Sequence, residues 1–218
     1  MYILNIETAT KNCSVSLAKN GETILCKELA EKGYSHAEKL HVFIEEVLQE
    51  TGIGVPDLKA IAVSKGPGSY TGLRIGVSSA KGLCYALGIP LISVDTLQVL
   101  AHQVAVEKGL IVPMIDARRM EVYSAVFDSN HILISAVQAE ILTESSYAEI
   151  TEPIYFVGDC QEKCQTVLIK DNFYFLPEIK FPSANEMSSM SYDKFVKNEF
   201  EDIAYFEPFY LKDFLMSK

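Results

Sequence analysis

Glycines 66, 68 and 72 fall within Lys65-Gly66-Pro67-Gly68-Ser69-Tyr70-Thr71-Gly72-Leu73-Arg74-Ile75-Gly76-Val77, between an apolar run of strand character and one of helix character. A glycine-rich loop of this kind opens a helix with backbone N–H groups that can meet an anion. Without Cβ atoms it also admits a close-packed partner. Pro67 stiffens the turn between the first two glycines. No Lys-Ser or Lys-Thr follows, so this is not a Walker loop, and the spacing departs from the dinucleotide fingerprint. The residues alone leave open an anion site and a closely packed strand-to-helix connection. Ser69 and Thr71 lie on the loop without a patterned His or Lys base nearby, which favours capping over nucleophilic work.

Other reactive side chains are scattered. His36 and His41 are five apart, roughly 140° around a helix, a poor bidentate geometry. They read as surface or interface histidines, and His102 and His131 stand alone in the sequence. Cys160 and Cys164 share one helix face, but no histidine nearby completes a metal set. The five cysteines lie mostly inside apolar segments without a CxxC pair, as expected of reduced core thiols in the cytoplasm. Arg118-Arg119 has the charge of a phosphate clamp, yet a solvated turn beside Glu121 is the better reading. A net charge of −10 with no Lys/Arg run argues against a general polyanion binder, so any nucleic acid must be held mostly by a partner. No apolar run reaches membrane-spanning length.

The elements that must position these residues follow from periodicity. Residues 2–7 read as a buried strand. Residues 12–18 and 22–29 form a hairpin around Lys19-Asn20-Gly21, because Asn-Gly suits a turn with φ > 0. Ser35 and Glu38 form a capping box ahead of a helix with Leu40, Phe43, Ile44, Val47 and Leu48 as its stripe. A strand over 58–64, a helix over 71–87, a strand over 91–94 and a helix through about 107 complete the first half. The second half repeats the order, with strands at 110–115, 121–127 and 132–141, a short helical piece at 145–150, a strand at 154–157, a helix at 160–169, a strand at 173–176 and a helix at 184–200. A repeated β-β-β-α-β-α-β-α order is that of an α/β protein built from two ribonuclease H-like lobes, as in the actin-like ATPase (ASKHA) superfold. The expected lobes are residues 1–108 and 109–218.

Five segments carry a resemblance to a known family. They are Ile3-Leu4-Asn5-Ile6-Glu7-Thr8-Ala9-Thr10, Tyr34-Ser35-His36-Ala37-Glu38-Lys39-Leu40, the glycine signature from Gly66 to Gly76, Asp116-Ala117-Arg118-Arg119-Met120-Glu121-Val122-Tyr123, and Pro208-Phe209-Tyr210-Leu211-Lys212-Asp213-Phe214. Together they resemble the TsaB (YeaZ) family over the whole chain, in order. The resemblance implies a supporting, non-catalytic subunit that forms homodimers and pairs with the catalytic paralogue TsaD, joined by the ATPase TsaE. TsaD transfers threonylcarbamoyl to the adenosine next to the anticodon in tRNAs that read codons beginning with adenine. It further implies that tRNA is met only through the complex, in the cytoplasm and without a membrane, and that this subunit needs no cofactor or metal.

Several residues bear on that expectation. Aligning Ile89-Pro90 with the equivalent pair of the paralogue places its metal-binding His-x-x-x-His on Thr96 and Leu100, and neither matches iron or zinc. Glu7 and Asp116 end the first strand of each expected lobe, where actin-like enzymes place phosphate-facing carboxylates, but Glu7 is longer than the usual Asp. Glycines inside the 71–87 helix cost about 0.5–1 kcal/mol each, so Gly72, Gly76 and Gly82 imply a compensating contact, first with the helix's own sheet. The family's interface helices correspond to residues 35–48 and 71–87. The expected interface residues are His36, Lys39, Phe43, Leu73, Arg74, Val77, Lys81 and Tyr85, with Gly66, Pro67, Gly68 and Gly72 as the signature loop. If both assemblies share this surface, Leu73→Arg or Val77→Arg weakens both without unfolding the lobe. A small actin-like kinase and a metallopeptidase remain the alternatives.

Overall fold

The computed structural model describes residues 1–30 and 36–212. The Ser35 capping box and the end of the C-terminal motif, Asp213 and Phe214, lie outside the described residues. In chain order the elements are β1 (Tyr2–Glu7), β2 (Asn12–Lys19), β3 (Glu22–Ala30), α1 (His36–Thr51), a 3₁₀ turn (Val55–Asp57), β4 (Leu58–Gly66), α2 (Tyr70–Leu87), β5 (Leu91–Asp95), α3 (Thr96–Ala101), β6 (Leu110–Asp116), β7 (Glu121–Asp128), β8 (Leu133–Ile141), β9 (Ile154–Gly158), α4 (Gln161–Cys164), β10 (Phe173–Phe175) and α5 (Met187–Val196).

Two compact units emerge, one made of residues 1–99 and 182–218 and the other of 100–181. This differs from a simple division at 108. In the first unit the sheet order is β3-β2-β1-β4-β5. β1 pairs antiparallel with β2 and parallel with β4, and β4 pairs parallel with β5. β1, β4 and β5 are buried on both faces and read as continuous apolar runs, as parallel strands must. One face is covered by α1 and α2 through Leu40, Ile44, Val47, Val77, Ala80 and Cys84. The other face packs Ile3, Ala60, Ala62, Ile92 and Val94 against Ala184, Met187 and Met190. The segment expected to end the second lobe therefore returns to the first unit, because the second face of the first sheet needs an apolar cover and α5 supplies it. That return is also tied by Ala184 N–H donating to Ser14 Oγ at 2.8 Å and Ser16 Oγ donating to Ala184 O at 2.6 Å.

The second unit repeats the topology, with order β10-β9-β6-β7-β8. Its core centres on Phe156, whose ring meets Tyr147, Phe173 and Phe175. Both sheets thus carry the ribonuclease H-like order, and the fold is the actin-like one expected. The helix expected at 145–150 is instead a series of turns, because Tyr147 adopts φ 60° and interrupts right-handed winding. Four-residue α4 replaces the expected 160–169 helix. No helix among the described residues is long and apolar enough to cross a membrane.

Candidate functional site

The glycine signature links β4 to α2 and is buried against the turn that follows β1. Ser69 caps α2 by accepting from Gly72 N at 3.3 Å. The Ser69 N–H donates to Ala9 O at 2.6 Å, and Thr8 Oγ1 donates to Gly72 O at 2.8 Å. A Cβ added at Gly68 would collide with the Ala9 carbonyl, one at Gly72 with the Thr8 carbonyl, and one at Gly76 with Thr8 Oγ1. Gly66 has φ 118°, and a Cβ there would sit 2.6 Å from Phe209 O. Pro67 beside it is buried. Of the two readings of this loop, the close-packed one describes the structure, and its partner is the chain's own 8–10 turn. That partner was missed in the sequence, because Thr8 and Ala9 lie far from the loop in the chain and carry no distinctive chemistry.

Glu7 completes this closure. Its side chain is fully buried, and Oε1 accepts the Ala9 N–H at 2.6 Å. Burial raises its pKa to about 7, against the lowering influence of the Ala9 N–H donation. This carboxylate thus takes up the Ala9 amide of the turn. His36 lies beside the same turn, fully buried, with Nε2 2.7 Å from Thr10 O. Desolvation lowers its pKa, opposed by that hydrogen bond. His36 is therefore not a surface or interface histidine. It was misread because the apolar environment comes from a turn 26 residues away.

The remaining expected interface residues divide into three groups. Leu73 and Val77 are 1% and 3% exposed, and so belong to the core. An arginine at either position would break that core, contrary to the expectation of a folded variant. Arg74 and Lys81 hold the C-terminal segment. Arg74 stacks on Tyr70 at 4.2 Å and donates from Nε to Tyr210 Oη at 3.3 Å, while Lys81 Nζ donates to Phe206 O at 2.8 Å and Ala204 O at 3.3 Å. Phe209 N–H donates to Lys65 O at 2.7 Å, so the Pro208–Lys212 motif lies along the start of α2. Lys39 and Phe43 are half-buried, and Tyr85 is 83% exposed. The exposed face of α2 consists of Thr71, Arg74, Ser78, Gly82, Tyr85 and Ala86, and a Cβ at Gly82 would meet open space. On α1, His41 and Val42 are exposed, with His41 Nε2 3.5 Å from Ser79 Oγ across to α2.

Thr96 and Leu100 are both fully buried, and Thr96 Oγ1 accepts from Gly66 N at 3.1 Å. No group of three or more His, Cys, Asp and Glu that would hold a metal occurs among the described residues. Cys160 and Cys164 are buried thiols 3.6 Å apart in the second core. His102 and His131 do not stand alone, since their rings stack at 4.3 Å.

In the second unit the equivalent turn, after β6, is open. Asp116 is exposed; it is bonded by Lys163 Nζ, and its Oδ1 accepts from Arg118 N at 2.9 Å. Asp116 N–H donates to Asp159 Oδ1 at 3.0 Å, and Lys163 Nζ also donates to Arg119 O and Glu121 O, each at 2.8 Å.

Two sheets of ribonuclease H-like strand order define a protein of the actin-like fold. The family model of TsaD, tRNA N6-adenosine threonylcarbamoyltransferase, matches residues 28–212. The tRNA threonylcarbamoyladenosine biosynthesis protein TsaB of Escherichia coli K12 is 29% identical over 227 residues, covering 98% of this chain and 95% of that protein. TsaB of Buchnera aphidicola subsp. Acyrthosiphon pisum is 33% identical over 190 residues, covering 82% and 85%. Among solved structures, YeaZ from Pseudomonas aeruginosa shares the fold, with a TM-score of 0.82 and 24% identity over 96% of this chain and 99% of that one. The chain belongs to the TsaB family.

Proposed function

We propose that this protein is a non-catalytic subunit of the assembly that builds threonylcarbamoyladenosine in tRNA, and that it works by docking to a TsaD catalytic subunit. The observation that carries this reading is the sealed turn after β1. Glu7, Thr8 and Ala9 fill, from within, the place where an actin-like enzyme faces phosphate. Thr96 and Leu100, at the positions of the paralogue's metal ligands, supply a hydroxyl already bonded to Gly66 N and an alkyl chain. These residues favour docking over the kinase and metallopeptidase alternatives.

The docking face in this reading is the exposed side of α1 and α2 around Val42, Ser78, Gly82 and Tyr85. Small residues at 78 and 82 let another helix approach, and Tyr85 offers an aromatic anchor. A homodimer and the TsaD pair use this face in turn and exclude each other, with TsaE joining the TsaD-bound form. Transfer RNA is met in the assembled complex, in the cytoplasm.

Gly82→Arg and Tyr85→Glu test this directly, because neither position contributes to the core. Tyr85→Glu is expected to keep the wild-type melting temperature and Gly82→Arg to match or exceed it, while both lose the homodimer and co-elution with a TsaD homologue from the same organism. Unchanged co-elution overturns the docking face. Threonylcarbamoyl transfer or ATP turnover by the purified chain alone overturns the non-catalytic reading.

A further inference from the structure

Arg118 and Arg119 occupy consecutive left-handed positions, with φ 73° and 53°. The protein solves the same backbone problem elsewhere with the residues that suit it. At the β2–β3 hairpin, Asn20 and Gly21 take φ 53° and 90°. Arginine has no conformational reason to fill such a pair, and residues in sparsely populated regions persist where the surroundings hold them there. Here the surroundings do so. Asp116 accepts Arg118 N, Asp159 accepts Asp116 N, and Lys163 Nζ gathers Asp116 together with the carbonyls of Arg119 and Glu121. Lys163 thereby masks the electronegative side of the turn. Both arginine side chains remain exposed, and neither forms an ion pair among the described residues.

We propose that the β6–β7 turn is a fixed two-arginine clamp for consecutive backbone phosphates of tRNA. This rests on the reading that the assembled complex handles tRNA. On a chain of net charge −10, general attraction to RNA is weak, so a pair of guanidinium forks on a hydrogen-bonded turn serves to set the register of the strand rather than to hold it. Phosphate suits that fork bidentately, and the pre-organised turn leaves only the side chains to be ordered on contact.

The test is a salt series of labelled-tRNA anisotropy titrations on the complex with a TsaD homologue. It compares wild type, Arg118→Asn with Arg119→Gly, and Arg118→Lys with Arg119→Lys. The Asn/Gly pair suits the left-handed backbone, so melting and co-elution are expected to stay intact. Its plot of log affinity against log salt should be shallower by about 1.5, with binding about 30-fold weaker at 0.1 M salt, as two lost phosphate contacts require. The lysine pair keeps the charge and should keep the wild-type slope. An unchanged slope in the Asn/Gly variant overturns the clamp. So does loss of co-elution in that variant, which would assign the arginines to a protein contact. Failure of the wild-type chain to co-elute defeats the docking reading itself, and is seen before any variant is made.

Discussion

The turn after β1 and the turn after β6 hold the same place in two sheets of identical strand order, yet one is closed and the other open. Glu7 and Asp116 each end the first strand of their unit. Glu7 is buried and bonded to its own loop amide, whereas Asp116 is exposed and bonded to Lys163. The helix that follows the fourth strand accounts for the difference. In the first unit this is α2, 18 residues long, with glycines at 72 and 76 that let it press onto Thr8. In the second it is α4, four residues long, too short to cover the turn. Topology places a carboxylate at the strand end, and the length and side-chain bulk of a neighbouring helix decide whether it faces water.

The largest expected effect comes from forcing the closed turn open. In Gly72→Ala the new methyl meets the Thr8 backbone carbonyl, which cannot rotate away, so a destabilisation of about 4 kcal/mol in urea unfolding is expected, above the usual overpacking range. Gly82→Ala is the matched control on the same helix. Its methyl meets open space, and a gain of about 0.8 kcal/mol follows from helix propensity. Equal effects at the two positions would refute the close-packing account of the signature.

Glu7 supplies the next effect, visible as a pH dependence. Its folded-state pKa of about 7 lies above its ordinary value of 4.5. A raised pKa means that the native state prefers the protonated carboxyl. The stability it lends is full below pH 4.5 and is lost as pH rises through 7. Glu7→Gln keeps an oxygen for the Ala9 N–H and removes the titration. At pH 8 the variant should exceed wild type by up to about 3 kcal/mol, with the advantage shrinking towards pH 4.5. A pH-independent difference in denaturant midpoints would show that the carboxyl is ionised in its buried site.

Much of the fold was legible because period-2 runs, the Asn20-Gly21 turn and the Leu40–Leu48 stripe are local signals. The glycine signature was legible as a place of close approach, but its partner was not, since Thr8 and Ala9 lie some 60 residues away and carry no distinctive chemistry. The same limit explains His36, Leu73 and Val77. Helical spacing places them on faces of α1 and α2, and only the tertiary packing shows that those faces are buried. Arg74 and Lys81 looked free because Ala204, Phe206 and Tyr210, the groups they hold, follow more than 120 residues later. The return of α5 to the first sheet was hidden for a similar reason. An apolar helix at the end of a repeat reads as part of that repeat until an uncovered sheet face elsewhere claims it.

The open turn gives the smaller effects. Lys163→Met removes donations to two carbonyls and to Asp116, a carboxylate side chain 48% exposed, so solvent screening limits the loss to about 1 kcal/mol. Arg119→Gly is expected to act in the opposite direction. Relieving a left-handed non-glycine residue returns about 1–2 kcal/mol, while glycine adds about 0.5–1 kcal/mol of unfolded-state entropy, leaving a net gain near 0.5 kcal/mol. In the closed turn no substitution of this kind is available, because none of Thr8, Ala9 and Thr10 has a positive φ. A variant that stabilises the fold while weakening the tRNA contact would show that the arginine is kept at a conformational cost, which the β1 turn, sealed against its own helix, does not bear. If Arg119→Gly instead lowers the melting temperature, the side chain packs usefully on its own unit, and the contrast between the two turns is one of shape alone.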